Sequence, residues 1–127
     1  MKIYTIHEVD KILEEIVVGA GDSFFYERPD GRLSCLYTVN GSPSCIVGHL
    51  LHHLGYTVPE NSSHNSRRFM ALPPEVWEEA GFGFDGSAAL HIDLVQRFQD
   101  CGEPWSGALI RSRLNHSRLL APMEVAE

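Results

Sequence analysis

The sequence has no apolar run near the roughly 18 residues that a membrane-crossing helix needs, so no membrane association is expected. Its opening stretch, MKIYTIHEVDKILEE, is charged where an export signal is apolar. Cysteine is scarce: three residues, an odd number with no Cys-x2-Cys pair, which suits a reducing cytoplasm better than a disulfide scaffold. There is no His-Glu-x-x-His motif to hold a catalytic zinc. Positive charge is also short, with 10 Lys and Arg against 17 Asp and Glu and a net charge of −7. Such a surface repels duplex phosphates, which excludes a general nucleic-acid binder. Internal repeats, heptad runs and linkers are lacking, so nothing divides the chain.

What remains is ordinary globular material: 127 residues, 43% hydrophobic and 21% charged. A chain of this size buries about two-thirds of its unfolded surface around one core. The expected layout is a single globular domain over 1–121 and a short C-terminal tail over 122–127. Charge is uneven. Residues 1–30 hold seven acids and three bases, residues 75–103 hold seven and one, and residues 111–118 hold three arginines and no acid.

Helix one has the clearest signals. Thr5 followed by Glu8 forms a capping box, and Tyr4 can staple onto Val9. Val9, Ile12, Leu13, Ile16 and Val17 then repeat at helical spacing, with Gly19 and Gly21 at the end. The run FFYERPDGRLSCLYTV reads as a hairpin around Pro-Asp-Gly. A second helix is expected from Ser42 as cap and Pro43 as first residue to Gly55. Pro73 and Pro74 open a short third helix, and a fourth runs from about Ser87 to Cys101. Pro104 opens a fifth that ends before Pro122. The fold class is therefore α+β, a mainly helical small domain of about five helices with one β-hairpin.

The stretch NGSPSCIVGHLLHHLG carries the most reactive chemistry. On a helical wheel Ile46, Val47, Leu50, Leu51 and Leu54 make one apolar face. Cys45, His49 and His52 lie roughly opposite, with His53 at the margin. Three readings compete. A helix start lowers a thiol's pKa, so Cys45 is a candidate nucleophile, with His49 or His91 as its base. His91, however, falls among Leu94, Val95 and Phe98, which suits a buried histidine with satisfied hydrogen bonds. The one-turn spacings of Cys45, His49 and His53 suit a zinc ion completed by Cys35. Cys45 and His52 are about 10 Å apart along the axis, too far to share one ion. In the third reading Cys45 is a small buried filler.

The segments YTVNGSPSCIVGHLLHHLG and LVQRFQDCGEPWSGAL favour the third reading, because together they resemble small uncharacterised proteins of actinobacterial viruses. The likeness covers 35 of the 127 residues. It rests on Pro43, Ser44, Cys45, Val47, Gly48, Gln99, Asp100, Gly102 and Trp105, and leaves the three histidines out. The resemblance implies a source, the infected bacterial cytoplasm, and no mechanism. Structural roles follow from the residue types: Gly48 permits a close approach, Asp100 caps the fifth helix, and Trp105 fills the core.

The expected function is accordingly non-enzymatic: an accessory protein that binds a host protein or sequesters a small signalling molecule. No cofactor is expected. A small anionic ligand would be held by Arg67, Arg68, Arg111 and Arg118, the last two seven apart on one helical face. The alternative is a Cys/His hydrolase or zinc-dependent enzyme centred on Cys45. A homodimer is also expected: Trp105, Ala108, Leu109, Leu119 and Leu120 share one broad face of the last helix, while Ile110 and Leu114 fall on others.

Overall fold

Helix α1 (Ile6–Ala20) begins where its capping box ends. The Thr5 hydroxyl accepts from the Glu8 N–H at 3.3 Å, and the Glu8 carboxylate accepts from the Thr5 N–H at 3.0 Å. Val9, Leu13 and Val17 are buried as their spacing requires, and Gly21 closes the helix at φ 99°. In this computed structural model residues 1–21, 24, 26 and 36–120 are described. The expected Pro-Asp-Gly turn, Cys35 and the tail therefore lie outside the described residues.

The described residues form two short sheets, a parallel pair that was not expected and a β-hairpin, which was, though about a different turn. Strand β1 (Lys2–Tyr4) pairs in parallel with β4 (Phe82–Phe84), joining Ile3 to Gly83 across much of the chain. Between them, β2 (Thr38–Val39) and β3 (Ser42–Pro43) form an antiparallel hairpin about Asn40-Gly41. Both turn residues have positive φ, 52° and 79°, as a tight right-twisted hairpin demands. The Glu60 carboxylate accepts from both of their N–H groups, at 2.9 and 3.0 Å. This corrects the expected start of helix two. Ser42 and Pro43 belong to the hairpin, and α2 (Ile46–His53) starts at Cys45 as its N-cap.

Helices α3 (Glu75–Ala80), α4 (Gly86–Asp100) and α5 (Trp105–Asn115) follow, each opening close to its expected position. The last helix is two: α5 stops at His116 and α6 (Ser117–Leu120) restarts, giving six helices among the described residues where about five were expected. Pro104 is the N-cap of α5, and just before it the Asp100 carboxylate accepts from the Gln99 amide at 3.0 Å.

Helix α4 organises the rest. It packs against α1, α2, α5, β4 and the 3-10 turn Phe69–Ala71. Asp93, Gln96 and Gln99, three residues apart, form one buried polar row along it. Each accepts from a backbone N–H of another segment: Asp93 from Met70 at 3.3 Å, Gln96 from Phe69 at 2.7 Å, Gln99 from Ile46 at 3.0 Å. Those N–H groups begin helical turns, where no carbonyl of the same turn can accept from them. The row supplies the missing acceptors from a distance.

Candidate functional site

Cys45 caps α2 with its backbone alone, and its side chain is fully buried. Its N–H donates to the Leu36 carbonyl at 3.2 Å, and the Ser44 N–H to the Tyr37 carbonyl at 2.9 Å. One turn on, Gly48 presses its bare Cα against Tyr37: a Cβ there would lie 2.1 Å from the Tyr37 oxygen. From the other side the Gln99 side-chain carbonyl accepts from the Ile46 N–H and from the Trp105 indole, at 3.0 and 2.9 Å. Gln99 thus bridges the two sequence motifs, and Trp105 is buried as expected.

The histidines of α2 scatter. His49 is half-buried, its ring edge-on to Trp105 at 5.5 Å. Burial, with a smaller push from His52, lowers its pKa and favours the neutral ring. His52 and His53 are exposed. Among the described residues no three His, Cys, Asp or Glu side chains are grouped to hold a metal ion.

His91 lies elsewhere, wholly buried between α1, α4 and α5. Its Nε2 is 2.9 Å from Asp10 Oδ1 and its Nδ1 is 2.6 Å from Ser112 Oγ. Asp10 also receives a two-pronged hydrogen bond from Arg113, both contacts 2.9 Å, and Arg113 reaches Glu14 at 2.8 Å. An ionised Asp10 only accepts, so Nε2 carries a proton, and in the neutral ring Nδ1 accepts from the Ser112 hydroxyl. The set has the members of a hydrolase triad with the ring reversed, and its serine is fully buried. It is a lock between helices.

Burial pushes the Asp10 carboxyl up, but the hydrogen bonds from His91 and Arg113 and the Arg113 charge outweigh it, holding its pKa at about 2 against an ordinary 3.8. The carboxylate therefore stabilises the fold fully above pH 5 and progressively less as the pH falls through 3.8 toward 2. The gap is worth about 2 kcal/mol. Asp10→Asn is expected to lose about that much stability at pH 7 and to melt with a flatter acid limb between pH 5 and 2. Parallel acid-limb curves for the two proteins would contradict this.

The four arginines are not equivalent. Arg68 pairs with Asp93 at 3.1 Å. Arg111 pairs with Glu103 and lies over the Phe98 ring, 4.5 Å from its centre. Arg67 and Arg118 are exposed. The break at His116 corrects the expectation that Arg111 and Arg118 share one helical face.

A different surface is the more distinctive one. Phe69 stacks on Trp77, Trp77 on Phe82, and Phe84 meets all three edge-on. Beside this aromatic cluster runs a groove of about 330 Å³ whose walls include Met1, Ile3, Met70, Trp77 and Glu78. Gly83 makes room: a Cβ on it would sit 3.0 Å from the Ile3 Cδ1. The sequence hinted at the groove only in the alternation FGF after an aromatic helix, a signal three residues long. Asp10 and Ser112 were missed as partners of His91, and Arg113 as a partner of Asp10, since 81 residues separate Asp10 from His91.

No protein-family model, curated protein or solved structure matches the chain.

Proposed function

We propose that the chain is a non-enzymatic accessory protein of an actinobacterial virus, acting in the cytoplasm of the infected bacterium by binding a host protein. The observation that carries this reading is the state of its chemically capable side chains. Cys45 is sealed in the core and both ring nitrogens of His91 are engaged, whereas apolar side chains stand in solvent. The anionic-ligand version has less support, because Arg68 and Arg111 already neutralise carboxylates. Among the described residues no helix is long and apolar enough to cross a membrane, which agrees with a partner in solution.

Iodoacetamide labelling of the native protein tests the non-enzymatic reading. Cys45 is expected to label at least about a hundredfold more slowly than Cys101, which is exposed. Labelling of Cys45 near pH 7 faster than a free thiol would restore the hydrolase. Native mass spectrometry of the protein from its host would then reveal a co-purifying partner.

The reading extends to a homodimer through α5 and α6. Ile110 is 56% and Leu114 71% exposed, on a groove of about 440 Å³ lined also by Asp10, Arg113, Ser117 and Leu120. One Leu114 from each copy, seated in the other's groove, makes a self-complementary two-fold contact. Light scattering at tens of micromolar is expected to give the dimer mass, and the monomer mass for Leu114→Glu. A monomeric wild-type protein ends the idea.

A further inference from the structure

We propose that the groove beside the β1–β4 sheet receives a segment of a partner protein that is apolar along one face and carries Lys or Arg at its flank. This rests on the binding reading above and names its surface and its partner's chemistry. The first support is apolar exposure. Met1 is 74%, Met70 49% and Ile3 44% exposed, and all three line the same groove over buried Phe69, Leu72 and Trp77. Exposed apolar side chains scattered singly are ordinary; a set gathered around an aromatic floor is what docking surfaces have. Two of the three are methionines, whose unbranched, polarizable chains adapt to a partner's side chains at little cost.

The second support is charge. Glu78 is part of the groove wall, and Glu75, three residues earlier, lies on the same side of α3. Both are exposed, and among the described residues neither forms an ion pair. Lys2 is neutralised by Glu8 and Arg68 by Asp93, so at the groove the two carboxylates outnumber the one positive charge of the Met1 amino terminus. The charge left over at the groove is negative, so its complement is a basic flank. An acidic segment would be repelled, and an anionic lipid surface likewise.

The test uses the full chain and two synthetic helical peptides with the same leucine face, one with lysine and one with glutamate on the rest. Titration calorimetry is expected to show one lysine peptide bound per chain and the glutamate peptide at least tenfold weaker. Met70→Glu separates docking from diffuse charge attraction. It removes an apolar contact while adding a negative charge, and it should weaken the lysine peptide at least tenfold with unchanged melting. Glu75→Lys with Glu78→Lys should weaken it too and admit the glutamate peptide. No binding by the wild-type chain, or Met70→Glu binding the lysine peptide as tightly or more tightly, overturns the proposal. So does a change in the mass of the protein alone on Met70→Glu, which would assign the groove to a second copy. In native mass spectra, a host partner kept by Met70→Glu removes the groove proposal and leaves the binding reading standing. A partner lost by Met70→Glu supports both.

Discussion

Replacing Gly48 by alanine is expected to lower stability by at least about 3 kcal/mol, enough to leave much of the chain unfolded if its total lies near the bottom of the usual 5–15. The added methyl would meet the Tyr37 carbonyl oxygen at 2.1 Å, with the Tyr37 carbonyl carbon at 2.9 Å. These are backbone atoms, and the oxygen is held in place by the Ser44 N–H. Moving it breaks that bond and loosens the start of α2. Alanine's better helix propensity returns only about 1 kcal/mol. Gly19→Ala is the control: it sits in α1 with nothing within 4 Å of the new methyl, and should gain about 0.5–1 kcal/mol. Equal melting temperatures for wild type and Gly48→Ala would refute the close contact.

Gln99→Leu is the second large effect, about 3 kcal/mol of destabilisation. Leucine fills a similar volume but leaves the Ile46 N–H and the Trp105 indole N–H without their shared acceptor. Each buried donor left unpaired costs about 1–3 kcal/mol. Gln99→Glu offers the same acceptor geometry with a charge, and is expected to keep more of the stability at low pH, where a carboxyl is neutral, than at pH 7. Denaturant unfolding of the two variants at both pH values reads this directly. A leucine variant as stable as wild type would show that the bridge contributes nothing.

Those two sites differ in how far the sequence announced them. Gly48 was marked by its place in the stretch that carries the resemblance, and a close approach was the reason available for a residue without a side chain. Gln99 belonged to the same resemblance, but nothing in the sequence gave it a structural role. Its row with Asp93 and Gln96 has the spacing of a solvent-facing stripe, and only tertiary packing turns it inward. Local signals were reliable where the chemistry is local, as at the Thr5–Glu8 box and the Pro74 start of α3. The Asn40-Gly41 hairpin was missed for a traceable reason. Asn40-Gly41 is the stronger short turn signal, but Ser42 and Pro43 also suit a helix start, and the two uses exclude each other. Strands β1 and β4, three residues each, carry too little alternation to read, and their partnership spans the chain. The groove was invisible for the same reason: Met1 and Ile3, Met70, and Trp77 come from three separate segments.

The Asp10–Arg113 pair links residues 103 apart, and α1 packs on α2 and on two late partners, α4 and α5. A ribosome adding about 5–20 residues per second therefore leaves α1 waiting about 5–20 seconds for its partners. Throughout that interval Val9, Leu13 and Val17 have only α2, each other and neighbouring nascent chains to pack against. Glu8, Asp10, Lys11, Glu14 and Glu15 are interleaved with them, so the helix that must wait longest also carries its own gatekeepers against aggregation.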